Sequence, residues 1–365
     1  MQDKCQRIQG KSLHHELIAI DLFCGCGGLT VGLKRAGFRV IGAVDNDPIA
    51  ITTYRSNHRD VKVWKKDITK LKIDTVKKRL KLRKGELDLV AGCPPCQGFT
   101  SLRTLNGSKE VEDPRNDLVL EFQRFVKYLR PKAVMMENVP ELAEDKRFTD
   151  FKAYLKRLGY VGQYRILDAG NYGVPQRRER LIYIASLGEK VRFAKRSKRL
   201  KTVRDAIACL PMAGESGDPL HDIVEHRTPA VMNKIRRIPH DGGSRTDLPE
   251  DDQLPCHVRC GGFKDVYGRM AWDRQAPTIT SGCFNPSKGR FLHPEEDRAI
   301  TMREAALLQG LPRKYKFRGT KSKSAIALMI GNVFPPPFTA AHARMIRKVL
   351  INNGITADNP PRDER

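Results

Sequence analysis

A turn packed with glycine, Asp21-Leu22-Phe23-Cys24-Gly25-Cys26-Gly27-Gly28, constrains this chain more than any other feature. Residues 17–23 read as a buried strand, and a helix runs from about Leu29 to a stop at Gly37. The same alternation continues downstream. Residues 40–44, 61–64, 87–91, 133–136 and 181–185 read as further strands separated by helical patterns, and Asp47-Pro48 supplies an N-cap with proline in the first turn. Such alternation predicts an α/β fold, a mostly parallel sheet with helices on both faces. The character changes after Ala185. Residues from about 190 to 297 are rich in Gly, Pro, Asp and His and poor in long periodic segments, so they are expected to form a second, smaller and irregular domain. Regular structure resumes at Thr301-Met302-Arg303-Glu304, a capping box, and a last helix is expected at residues 338–350, before a disordered tail at 357–365. The expected division is therefore 1–190 plus 298–365 against 191–297.

With 365 residues and 40% hydrophobic content the chain can bury a sizeable core. Its first 17 residues carry charges and histidines where a signal peptide needs an apolar core, and no apolar run is long enough to span a bilayer. A cytoplasmic protein is expected. Nine cysteines, an odd number at irregular spacing, read as reduced thiols. Cys24-x-Cys26, Cys93-x-x-Cys96 and Cys256-x-x-x-Cys260 lack a second CxxC at zinc-site spacing, so no metal is expected. The net charge of +25 repels the chain from itself and points to a polyanionic partner, nucleic acid before an anionic membrane.

Glycines at a strand end let a ligand approach the backbone, and the helix start adds free N–H donors. Asp45 closes the following strand, where an acid that binds ribose is expected, and Asp67 follows the third. A nicotinamide or flavin fingerprint would need glycine where Thr30 stands. Together these residues read as an adenosine site. Gly92-Cys93-Pro94-Pro95-Cys96-Gln97 leaves another strand at the same edge, and its two prolines stiffen the turn that presents Cys96. A free thiol with a pKa of about 8.5 needs help to become a nucleophile. Cys93 reads as a small buried residue. Glu137-Asn138 brings a carboxyl group to that edge, and Gln176-Arg177-Arg178-Glu179-Arg180 sends Arg178 and Arg180 to one face of its strand.

In this order the segments resemble the DNA (cytosine-5-)-methyltransferase family over nearly the whole chain. The matching motifs are Asp21–Gly28, Pro94-Pro95-Cys96-Gln97, Glu137-Asn138-Val139, Gln176-x-Arg178-x-Arg180, Arg274-x-Ala276-Pro277-Thr278-Ile279, Arg303–Gly310 and Gly331–Pro336. The resemblance implies a Rossmann-like, S-adenosylmethionine-dependent methyltransferase domain and a target-recognition domain at 191–297. It places Phe23, Gly25, Gly27, Gly28, Asp45, Asp67, Pro95 and Asn332 on the cofactor, Asp45 at the ribose and Asp67 at the adenine. Many members carry Glu where this chain has Asp45, which bears on geometry at the ribose. Cys96 would add to C6 of a flipped-out cytosine, Glu137 would hold the N3 and N4 edge, and Arg180 would bind O2 with support from Arg178. The loop 98–116 would close over the base, and Arg245, Arg259 and Arg269 are candidates to read guanine. The implied partner is double-stranded DNA, bound by a monomer in the cytoplasm and, in a bacterium, at the nucleoid. A cognate restriction endonuclease acting on the same site would be its companion in a restriction-modification setting. The rivals are a tRNA cytosine-5 methyltransferase of the same family, an inactive DNA-binding regulator, and a thiol-redox protein using Cys93 and Cys96.

Overall fold

The computed structural model describes residues 16–95, 117–222, 226–249 and 265–352. Seven strands form one sheet: β1 (Ile18–Leu22), β2 (Arg39–Asp45), β3 (Lys62–Lys65), β4 (Leu89–Gly92), β5 (Ala133–Asn138), β6 (Tyr160–Asp168) and β7 (Glu179–Leu187), in the order β3-β2-β1-β4-β5-β7-β6. The first five are parallel, and β7 runs antiparallel to both β5 and β6. The chain winds outward from β1 to β3 and then returns to place β4 on the other side of β1. The crevice above β1 and β4 is thus the topological switch point, where open α/β sheets bind ligands.

The central strands are apolar on both sides because helices cover both sides. On one face Ala19, Val40, Ala91 and Ile184 pack with Leu29 and Leu33 of α1 (Gly28–Arg35), and with Phe338, Ile346 and Leu350 of the last helix (Pro336–Asn352). On the other, Ile20, Val90 and Val134 pack with Phe122 and Phe125 of a helix at Leu118–Leu129 and with Phe148 and Phe151 of one at Lys146–Arg157. The expected N-cap is present: Asp47 accepts from the Ile49 and Ala50 amides at the start of α2 (Pro48–Asn57), with Pro48 in the first turn. The capping box at Thr301 and Glu304 likewise opens the helix Met302–Leu308.

Strand β6 was not anticipated. It lies at the edge of the sheet, Val161, Tyr164 and Ile166 face solvent, and Gly162 interrupts its pattern because the Tyr183 side chain occupies the space a Cβ would need. The stretch from 190 to 297 is irregular as expected, with short helices at Val203–Ile207 and Pro229–Arg237. Part of it is continuous with the C-terminal packing: Val203, Met270, Trp272 and Ile279 share a core with Met302, Ala305 and Ile330. A smaller cluster joins Ile235, Ile238, Leu248 and Leu292. Among the described residues no helix is long and apolar enough to cross a membrane.

Candidate active site

The crevice above β1 and β4 is a cavity of about 660 Å³, lined among others by Phe23, Gly25, Asp45, Asp67, Pro95, Glu137, Arg178, Arg180 and Asn332. Eleven of the twelve expected site residues can be placed; Cys96, with the loop to residue 116, lies outside the described residues. Ten of those eleven line the cavity, and Gly27 sits just behind its wall.

The wall begins at the glycine turn. Phe23 and Gly25 have positive φ (59° and 49°), and Gly27 (φ 105°) caps α1. A Cβ at Gly25 would meet nothing within 4 Å, so this glycine fronts open space, whereas one at Gly28 would collide with Val333 and the Phe334 carbonyl. Gly28 is therefore needed to bring the C-terminal segment against the turn. Asp45 fixes the turn from the next strand: its two carboxylate oxygens accept from the Gly25 amide at 2.8 Å and the Asp47 amide at 2.9 Å. Burial raises its pKa, opposed by those amides. Asp67 spends one oxygen on the Thr69 amide and hydroxyl, which lower its pKa, and leaves the other for a ligand. Asn332 caps the helix Lys323–Gly331 and is exposed at the opposite rim.

At the other end of the cavity the Arg180 Nε lies 2.9 Å from Glu137 Oε1, with the two side chains only 17% and 11% exposed. That shielding strengthens the pair well beyond a surface salt bridge. Asn138, beside Glu137, donates from its amide to the Pro94 carbonyl at 3.0 Å and so fixes the turn that leads to Cys96. The Cys93 thiol is pushed up by burial and by the nearby carboxyl groups of Glu137 and Asp21, which keeps it protonated and unreactive. Arg178 belongs to the cavity wall but is almost wholly buried in it. Its guanidinium donates to the Ile279 carbonyl at 3.2 Å and the Gly331 carbonyl at 2.9 Å, and burial, then Arg180, lowers its pKa to about 9. It remains a cation at neutral pH.

Sequence reasoning named the motifs but missed what joins them. Gln176 donates to Gln309 Oε1 at 2.6 Å and accepts from the Ile279 amide at 2.9 Å, while Gln309 donates to the Ile330 carbonyl at 2.7 Å. Four distant segments thus meet in one buried amide network behind the cavity wall. The repeated glutamines were the available signal, since a buried amide must find partners.

Two expectations are corrected. Arg269 is fully buried and donates to the Ile238, His293, Glu296 and Ile235 carbonyls and to Asp297, so it holds loops together and cannot reach a base. Arg245 is only 3% exposed and so is likewise withdrawn from the surface, and Arg259 lies outside the described residues. Among the described residues the one cluster with metal-capable side chains is His293, Glu296 and Glu304. Arg298 already bonds both carboxylates there, and His293 Nδ1 accepts from the Glu295 and Glu296 amides, which puts its proton on Nε2. The cluster is a structural support in which one guanidinium bridges two carboxylates, with no lone pair of His293 left for an ion.

A sequence model of the family described as C-5 cytosine-specific DNA methylase matches residues 17–348. The chain is 35% identical over 343 residues to the type II methylase M.HgiDII of Herpetosiphon aurantiacus, covering 91% of this chain and 95% of that one. It is also 35% identical to the type II methyltransferase M1.HphI of Haemophilus parahaemolyticus, over 92% and 88% of the two chains. A protein encoded within an E. coli prophage and described as a DNA modification methyltransferase shares the fold, with a TM-score of 0.70 at 24% identity over 92% and 99% of the chains. The order of motifs, the sheet that gathers them at one crevice and these likenesses agree: the chain belongs to the C-5 cytosine-specific DNA methylase family.

Proposed function

We propose that this DNA (cytosine-5-)-methyltransferase transfers a methyl group from S-adenosylmethionine to a cytosine flipped out of a specific double-stranded sequence. The observation that carries the reading is the single cavity that has Gly25, Asp45 and Asp67 at one end and the Glu137–Arg180 pair at the other. Its size suits a nucleoside-sized ligand beside a base. The residues fit the cofactor: open space fronts Gly25, Asp67 keeps a free carboxylate oxygen for an amino group, and Asp45 retains lone pairs for ribose hydroxyls. Phe23, Gly28, Pro95 and Asn332 complete the walls. When bound, S-adenosylmethionine supplies an electrophilic methyl group.

The chain's own residues supply the rest. Cytosine C5 is a poor nucleophile until a group adds to C6, and the Cys96 thiolate makes that bond, passing electron density through the ring to C5. Glu137, sharing a proton with the ring, holds the N3 and N4 edge, and Arg180 meets O2, where negative charge builds. Their mutual ion pair presents both groups before the base arrives. Arg178 acts behind them, keeping the strand that carries Arg180 tied to the C-terminal segments. Loss of the C5 proton after methylation expels Cys96. Residues 191–297 form the target-recognition domain, against 1–190 plus 298–365 as the catalytic one. A duplex base must leave the stack to reach the cavity, at a cost of a few kcal/mol.

Tritiated methyl transfer tests the assignment. Label should enter duplex DNA with the wild-type chain and not with Cys96→Ala, whereas label entering tRNA in preference to DNA would overturn the choice of substrate.

A further inference from the structure

Behind the glycine turn, on the side away from the cavity, lies a buried hydrogen-bonded pair that takes no part in the chemistry above. Tyr315 OH donates to the Cys26 carbonyl at 2.5 Å, and His58 Nε2 lies 3.1 Å from the same tyrosine oxygen. Tyrosine has one proton, and it goes to Cys26, so the imidazole meets the oxygen as donor. Both side chains are nearly buried, at 3% and 5% exposure, and neither lines the cavity. Burial, with Lys34 nearby, holds the imidazole at about 4, so it is neutral under ordinary conditions.

The pair is itself fixed from both sides. Thr53 Oγ1 accepts from the Arg318 amide at 2.9 Å and donates to its carbonyl at 2.8 Å. Asn57 does the same for Lys316, at 3.0 Å and 2.8 Å. The segment carrying Tyr315 is therefore zipped onto α2, which ends beside His58. Gly27 rests directly on the pair: a Cβ there would lie 2.6 Å from His58 Nε2 and 2.8 Å from Tyr315 OH. The Tyr54 ring packs on His58 at 4.7 Å, and its hydroxyl continues to Thr30 and Asp21, each step 2.7 Å.

We infer that His58 and Tyr315 are positioning residues for the cofactor: together they grip the Cys26 carbonyl and the Gly27 backbone from behind and set the turn between Gly25 and Gly28. The inference rests on the reading of the cavity as the S-adenosylmethionine site. A peptide fixed on its far side presents its amides in one orientation, so less ordering remains to be done on binding. The C-terminal segment thereby acts on the cofactor at two places, directly through Asn332 and indirectly through Tyr315.

Tyr315→Phe tests this, because it keeps the ring and removes only the hydroxyl. Binding of S-adenosylhomocysteine is measured by titration calorimetry, alongside the KM for S-adenosylmethionine, kcat and thermal melting. The loss of one buried hydrogen bond should weaken binding and raise KM about tenfold, with kcat at saturation within about twofold. His58→Leu should reproduce the effect, His58→Gln, which keeps a donor, should largely restore wild-type binding, and the double variant Tyr315→Phe, His58→Leu should be no worse than either alone. Unchanged binding in a folded Tyr315→Phe protein, or a lower melting temperature with unchanged KM, would overturn the inference. Failure of the wild-type chain to bind S-adenosylhomocysteine would instead overturn the reading of the cavity beneath it.

Discussion

In the proposed reaction Arg180 and Glu137 are the single residues that prepare the site for a base. Each alone in a shielded crevice would be an uncompensated charge, and paired at 2.9 Å they stabilise one another while facing the place where cytosine O2, N3 and N4 would lie. Arg180→Ala removes a donor aimed at developing charge and leaves Glu137 without its cation. Removing one such donor typically lowers kcat by about 100- to 1000-fold. We predict a fall of that size with the KM for S-adenosylmethionine within about threefold, since Arg180 stands at the far end of the cavity from Asp45 and Asp67. A variant that retained most of its kcat but lost cofactor binding would contradict this placement. At the same scale Thr30 carries a small lesson. In the sequence it excludes a nicotinamide fingerprint; in the fold its hydroxyl bridges Asp21 and Tyr54 inside the molecule. Asp21 Oδ1 has no partner, and burial raises its pKa to about 8.

At the scale of elements, the last helix (Pro336–Asn352) makes the C-terminal segment part of the catalytic layer, and His342 lies at its centre. Its Nδ1 donates to the Phe338 carbonyl at 3.1 Å, its ring packs against Tyr172 and Phe338, and Nε2 is buried without a partner. Protonation would place an unpaired charge in that core, so burial lowers its pKa from 6.5 to about 4. The unfolded chain therefore takes up this proton first as pH falls. Its contribution to stability is complete above about pH 6.5 and is lost progressively towards pH 4, by up to about 3 kcal/mol. Denaturant unfolding at pH 7 and pH 4.5 checks this: wild type should lose stability relative to His342→Leu at the lower pH, and a constant gap between them would refute it. The elements that sequence made legible are those with strong local signals: the buried strands β1, β2 and β5, the Asp47 cap and the Thr301 capping box. Strand β6 was hidden because it is an edge strand, exposed on both faces and broken by a glycine under the Tyr183 side chain, and carries no alternation. The cavity was legible as separate motifs, since each residue proposed to act in it sits near a glycine, proline or strand end. The amide network of Gln176 and Gln309 and the His58–Tyr315 pair were not, because both join residues more than 100 positions apart and no local pattern records such pairings. The burial of Arg269 was illegible for a related reason: an arginine's charge suggests solvent or phosphate, and only the fold supplies six acceptors around it.

For the whole molecule the governing quantity is a net charge of +25 on 365 residues. Some of it is used internally, as in the pairs of Arg298 with Glu296 and Glu304. Much is exposed, for example at Lys78 and Arg79 in the helix Ile73–Leu80 and at Arg236 and Arg237 in the helix Pro229–Arg237. Such a surface should bind duplex DNA of any sequence through its phosphates, releasing counterions. With six or more phosphate contacts, affinity for a non-cognate duplex should fall at least about a thousandfold between 50 and 200 mM salt, as read by fluorescence anisotropy. An affinity indifferent to salt would show that this charge does not face DNA. The sheet then contributes the crevice, the glycine turn one end of it, and the Glu137–Arg180 pair the other.

The central claim is that these parts act together on one cytosine, and bisulfite sequencing of a plasmid recovered from cells expressing the chain tests it most directly. The account predicts protected cytosines in one recurring sequence context with the wild-type protein and none with Cys96→Ser; protection that persists in the variant, or none in either with folded protein that binds cofactor, would contradict it.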